Sequence, residues 1–218
     1  DIDGDGQLDI IAANWGWNSS YHRPSPQEPA VFYHGDLDDN GSWDVVETEW
    51  AEGKLWPRRN LFALRDALPG LTLRFNSHRA FSTADMPAVL GDHAAKARKV
   101  EATTFASTIF FRRGNRFEPV VLPDEAQYAP AYAVVVADAD GDGHDDVFLS
   151  QNCFAVRSDE PRLDAGLGLW LRGVSRSAAS HPSSLQPLAP RASGVRVHGQ
   201  QRGAAVGDFD GDGRIDLV

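Results

Sequence analysis

A single cysteine, Cys153, in 218 residues excludes an internal disulfide framework and a zinc site built from several thiolates. It reads as a buried free thiol. No stretch of eighteen apolar residues occurs, so nothing in this sequence is long and apolar enough to cross a membrane as a helix. The Gly-x-Ser-x-Gly elbow, HExxH, the phosphate-binding P-loop and the dinucleotide-binding glycine fingerprint are also missing. The seven histidines are scattered: His22 in a Pro-rich loop, His34 beside an acidic loop and His144 within one, His78 and His93 in the central stretch of helix-forming composition, and His181 and His198 in polar connections. None of them forms a recognisable catalytic arrangement. The expectation is therefore a protein that is not an enzyme, the alternative being a polysaccharide lyase or glycosidase built on dispersed acids.

What the chain does have is concentrated acid. In "VVVADADGDGHDDVFLS" (134–150), Asp138, Asp140, Asp142 and Asp146 fall at positions 1, 3, 5 and 9 of a turn between two strand-like runs. Carboxylates packed this closely repel one another, and a cation relieves the repulsion. The pattern recurs with Asp1, Asp3, Asp5 and Asp9, with Asp208, Asp210, Asp212 and Asp216, and with Asp36, Asp38, Asn40 and Asp44. Position 7, occupied by Gln7, Ser42, His144 and Arg214, offers a backbone carbonyl. Six or seven oxygens without nitrogen or sulfur point to Ca²⁺, and glycines such as Gly141 and Gly143 allow the positive φ that the turn needs. The second loop also fits the EF-hand pattern, with Glu47 at position 12. Its flanks, rich in β-branched and aromatic residues, read as strands instead.

These loops account for much of the charge. Fifteen of the 31 acidic residues lie at the proposed ligand positions, and four calcium ions would change the formal charge from −10 to −2. The acidity is thus metal-site chemistry and does not specify a basic partner. The cations of the central stretch (Arg58, Arg59, Arg65, Arg74, Arg79, Lys96, Arg98, Lys99) are interspersed with Asp and Glu. They read as a solvated helix face, and no nucleic-acid partner is expected.

Loop starts at 1, 36, 138 and 208 make a repeat with a spacing near 70 residues. Between the third and fourth loops lie four strand-like pieces, the number a propeller blade needs. The expected fold is all-β: four-stranded blades of a partial β-propeller with calcium-binding hairpin loops and one helical insertion. Residues 1–56 form partial blades with two calcium loops, 57–99 the insertion with Ser82 and Thr83 as helix N-caps, and 100–218 blades with the other two loops. "STIFFRRGNRFEPVVLP" (107–123) reads as a hairpin, and "AVFYHGDLDDNGSWDVVETEW" (30–50) as one whose turn is a metal loop. Because the sequence opens on one acidic loop and stops just after another, it is expected to be part of a longer chain that supplies the rest of the propeller.

The repeated DxDGDGxxD between strands resembles the FG-GAP or VCBS repeat of integrin-α-like β-propellers. "QRGAAVGDFDGDGRIDLV", "DGHDDVFLSQN" and the segment from "NWGWNSSYHRP" to "VFYHGDLDDNGSWD" are similar to bacterial proteins that carry an ASPIC/UnbV domain after such a propeller, relatives of cartilage acidic protein. The resemblance implies a secreted, cell-surface or periplasmic protein with Ca²⁺ in its blades, no established chemistry, and a role in adhesion or recognition. Strand parity places the calcium loops at one end of the blades and the longer connections at the other. Those connections carry Trp15, Trp17, Tyr21, Arg23, Phe154, Arg157 and Arg162, residue types that dominate binding hot spots. They form the expected surface for a protein or glycan ligand.

Overall fold

The computed structural model describes residues 1–175, 179 and 181–218. In chain order its strands are β1 (Ile10–Ala12), β2 (Ala30–Gly35), β3 (Asp44–Ala51), β4 (Lys54–Pro57), β5 (Arg98–Ala102), β6 (Thr108–Arg113), β7 (Arg116–Val121), β8 (Ala131–Ala137), β9 (Asp146–Gln151), β10 (Leu169–Gly173), β11 (Leu185–Pro187), β12 (Val206–Gly207) and β13 (Asp216–Leu217). All pairings are antiparallel and make four sheets, in the orders β1-β6-β7, β11-β10-β9-β8, β12-β13 and β4-β3-β2-β5. The protein is thus mostly β. Its chain separates into two compact units, residues 1–19 with 105–218 and residues 20–104.

In the first unit, β8 to β11 form a meander in which consecutive strands are neighbours, β8 and β9 being joined by the third acidic loop. All six residues of β9 are buried, so both faces of this central strand are covered. Val147 and Leu149 point to one face, where Ile109, Phe111, Leu122, Leu171 and Leu185 complete the core with Ile2. Phe148, on the other face, meets the Trp170 ring at 5.4 Å. The expected 107–123 hairpin is β6–β7, turning through Gly114-Asn115 with Gly114 at φ +64°. Glycine at the first turn position gives a two-residue turn whose twist suits the strands.

The second unit packs the β2–β3 hairpin against a run of short helices: α1 (Leu61–Arg65), α2 (Leu71–Arg74), α3 (His78–Phe81) and α4 (Met86–Leu90). Four or five residues are too few for a helix to persist alone, so burial supports them. Leu61, Leu64, Leu71, Phe81, Met86 and Val89 face Val31, Tyr33 and Val46 in one cluster. The N-caps differ from those expected. Asn60, Ser77 and Asp85 accept the N–H groups of Ala63, Ala80 and Ala88, whereas Ser82 closes α3 at its C-terminal end. Its hydroxyl and that of Thr83 bond back to the carbonyls of Arg79 and Ala80. The difference arises because α3 starts earlier than expected, where Ser77 is extended and free to cap. Likewise Arg98 and Lys99 lie in β5, where the open edge of β2 offers them a ladder of hydrogen bonds.

Candidate metal centres

All four acidic loops fold onto one frame, which the side chain at position 1 builds. Its two oxygens accept the N–H groups of positions 5 and 6: Asp1 from Asp5 and Gly6 at 2.9 and 2.8 Å, Asp36 from Asn40 and Gly41 at 3.0 Å, Asp138 from Asp142 and Gly143 at 3.0 and 2.9 Å, and Asp208 from Asp212 and Gly213 at 3.0 and 2.9 Å. The position-5 side chain then accepts the N–H of position 7, from Gln7, Ser42, His144 and Arg214. This double reversal needs left-handed backbone at positions 4 and 6. Gly141 and Gly143 adopt φ of +74° and +85°, and in the second loop Asp39 takes +59° in place of glycine, as aspartate can more readily than most residues.

Position 9 ties the loop to the sheet. One oxygen of each aspartate accepts the N–H of position 2: Asp9 from Ile2, Asp44 from Leu37, Asp146 from Ala139 and Asp216 from Phe209, at 2.9 to 3.0 Å. In the first and third loops the other oxygen reaches the neighbouring strand, accepting from Arg112 at 2.9 Å and Gly173 at 2.7 Å. Gly173 has no side chain because none would fit, a Cβ there falling 2.3 Å from the Asp145 carbonyl oxygen.

Three carboxylates in each loop bring one oxygen apiece within 4.8 Å of the others and could hold a metal ion: Asp1, Asp3 and Asp5; Asp36, Asp38 and Asp44; Asp138, Asp140 and Asp146; Asp208, Asp210 and Asp216. Asp9, Asn40, Asp142 and Asp212 sit in the same loops, outside these triplets, engaged in the hydrogen bonds above. The donor set is carboxylate oxygen throughout, with one amide, which fits a hard cation. Burial holds the Asp146 carboxyl above its usual range, with Asp140 and Asp142 adding to the effect and the Gly173 and Ala139 N–H groups opposing it. Burial raises Asp44 in the same way, opposed by the Leu37 N–H and helped by Asp38 and Asp36. The His144 N–H, with help from Arg172, holds Asp142 below its usual range.

A comparison with protein-family models gives no match, and a search of curated proteins gives none either.

The second loop joins β2 to β3, so it lacks the flanking helices of an EF-hand. Glu47 is turned to other partners, accepting the Tyr21 hydroxyl at 3.0 Å and pairing with Arg59 Nε at 2.7 Å. Tyr21 also lies 4.3 Å beneath the Arg58 guanidinium and against Phe32, within its own unit; Arg23, on the same segment, is exposed. Trp15 and Trp17 are partly buried, and the backbone N–H of Trp17 donates to the Gln127 carbonyl at 2.8 Å. Phe154 lies 4.9 Å beneath the Arg162 guanidinium, and Arg157 pairs with Asp159 at 3.1 Å. Strand direction puts this β9–β10 connection at the end of the sheet remote from the acidic loop. A pocket of about 330 Å³ opens at that end, lined by residues that sequence reasoning did not single out, among them Glu125, Tyr128, Gln151, Leu169 and Leu188. They come from four separate segments, and no local motif marks them.

Proposed function

We propose that this chain is a calcium-binding recognition module, made of propeller-type blades whose hairpin loops hold Ca²⁺. It acts without chemistry of its own, in a secreted, cell-surface or periplasmic setting, on a protein or glycan ligand. The observation that carries the calcium reading is the fourfold repetition of one hydrogen-bonded frame, each copy gathering three carboxylates within 4.8 Å. Such a gathering disfavours the folded loop unless a cation compensates it. Positions 1, 3, 5 and 9 with the position-7 carbonyl would hold the ion. Bound calcium supplies the positive charge, and its binding energy adds to the stability of the hairpin.

The recognition reading draws on the β9–β10 connection at the far end of the β8–β11 sheet, which carries Phe154, Arg157 and Arg162 and whose residues Ala165, Gly166, Leu167 and Gly168 help line the pocket. Loops on a rigid sheet are where binding residues concentrate. The calcium part is tested by thermal unfolding in 10 mM CaCl₂ and in excess EDTA, with MgCl₂ as control. A melting temperature several degrees higher in calcium than in either of the others supports it, and coincident melts refute it. The recognition part is tested by screening glycan and extracellular-protein arrays, then comparing Arg157→Ala and Arg162→Ala with the parent on any hit. Weaker binding at unchanged stability is the expected result.

A further inference from the structure

Two of the four loops already hold a cation of the protein's own. In the first, Arg113 reaches Asp5 Oδ2 through Nη1 at 2.9 Å and Asp3 Oδ2 through Nη2 at 2.5 Å. In the third, Arg172 Nη2 lies 2.8 Å from Asp140 Oδ2 and 2.9 Å from Asp142 Oδ2. Both guanidinium groups therefore bind the carboxylates of positions 3 and 5. The bonds are charge-assisted, and guanidinium keeps its proton at any physiological pH.

The two arginines arrive from different strand positions. The N–H groups of Arg112 and Gly173 mark equivalent points, since each donates to Oδ1 of its own loop's position-9 aspartate. Arg113 follows its marker by one residue, and Arg172 precedes its marker by one. Side chains alternate faces along a strand, so both offsets turn the guanidinium to the same side. Two unlike positions delivering one bond pattern argue that the contact with the loop is what placed the arginine there. The other loops differ. Lys96 bonds Asp39 at position 4, outside the converging carboxylates of the second loop. In the fourth, among the described residues, the hydrogen bonds that Asp208, Asp210, Asp212 and Asp216 accept come from backbone N–H groups of the loop itself.

We infer that Arg113 and Arg172 are resident counter-cations: they hold the first and third loops closed without metal and lower the affinity of those loops for a divalent ion. The inference rests on calcium filling the loops. An incoming ion must displace the guanidinium from oxygens it needs or bind beside it against repulsion. For charges of +2 and +1 about 6 Å apart, Coulomb's law at water's dielectric gives roughly a tenfold loss of affinity.

Titration of the ¹⁵N-labelled protein with CaCl₂ reads each loop separately at the amides of Gly6, Gly41, Gly143 and Gly213, because each donates to its own loop's first aspartate. Arg172→Gln is expected to move the Gly143 midpoint to about tenfold lower calcium, to leave the Gly213 midpoint in place, and to lower the melting temperature in EDTA. Arg172→Lys keeps the charge and is expected to stay within about threefold of the parent at Gly143. A Gly143 midpoint that is unchanged or higher in Arg172→Gln, while the glycines still respond to calcium, overturns the inference and leaves the calcium reading standing. No calcium-dependent shift at any of the four glycines, in parent or variants, overturns both.

Discussion

Replacing Asp146 by alanine separates the structural work of a loop carboxylate from its work on metal. Asp146 is only 5% exposed, and its two oxygens accept the N–H groups of Ala139 at 3.0 Å and Gly173 at 2.7 Å. Losing the carboxylate orphans both donors, at about 1–3 kcal/mol each. Part of this is offset, because burial and the neighbouring Asp140 and Asp142 disfavour the charge on Asp146 and raise its pKa. A net destabilisation of about 3 kcal/mol in EDTA follows, equivalent to a melting point lower by roughly 6–12 °C. In 10 mM calcium the variant also loses one ion's contribution, about 1.4–2.7 kcal/mol for a Kd of 10⁻³ to 10⁻⁴ M. Asp140→Ala is the control: Asp140 is exposed, so it is expected to change little in EDTA beyond its surface pair with Arg172 and to lose the calcium increment. Urea unfolding of both variants, with and without calcium, measures all four differences. An Asp146→Ala variant within 1 kcal/mol of the parent in EDTA, or an Asp140→Ala variant equally destabilised there, refutes this division of labour.

Other substitutions probe the frame. Gly143→Ala meets no atom within 4 Å, yet sits at φ +85°, so its cost is backbone conformation alone, about 1–2 kcal/mol by chemical denaturation. Gly70→Ala, also in open space but at φ −61°, is expected to stabilise by about 0.4–1 kcal/mol in the same assay. Gly173→Ala forces a methyl group against the Asp145 carbonyl and is expected to lose about 2–3 kcal/mol. Leu171→Ala, at 0% exposure in the core of the first unit, is expected to lose about 3–4 kcal/mol, calorimetry of the parent and variant giving the value.

The acidic loops were legible because their information is local. Fixed spacing of Asp and Gly dictates which N–H meets which carboxylate, so position 1 caps positions 5 and 6 in every copy. Hairpins such as β6–β7 were legible for the same reason, as was the meander from β8 to β11, whose consecutive strands pair with their neighbours. The short helices were legible as helix-forming composition but not in their limits. Asn60, Ser77 and Asp85 compete with other capping residues nearby, and burial of Leu71, Phe81 and Met86 decides the outcome. Arg113 and Arg172 were not legible at all. Nothing in their own sequence neighbourhood says that they meet Asp3, Asp5, Asp140 and Asp142, because strand pairing brings these groups together across 108 and 110 residues in one loop and 30 and 32 in the other.

The central claim is that the four loops are calcium sites, and counting ions tests it most directly. Equilibrium dialysis against calcium from about 10 μM to 10 mM brackets the affinity range of extracellular calcium modules, and excess magnesium in each cell suppresses diffuse binding to surface acids. Saturation at four ions per chain, one for each carboxylate triplet, falling to three in Asp140→Ala, is the predicted result. Binding that rises without saturating, or that magnesium abolishes, contradicts the account.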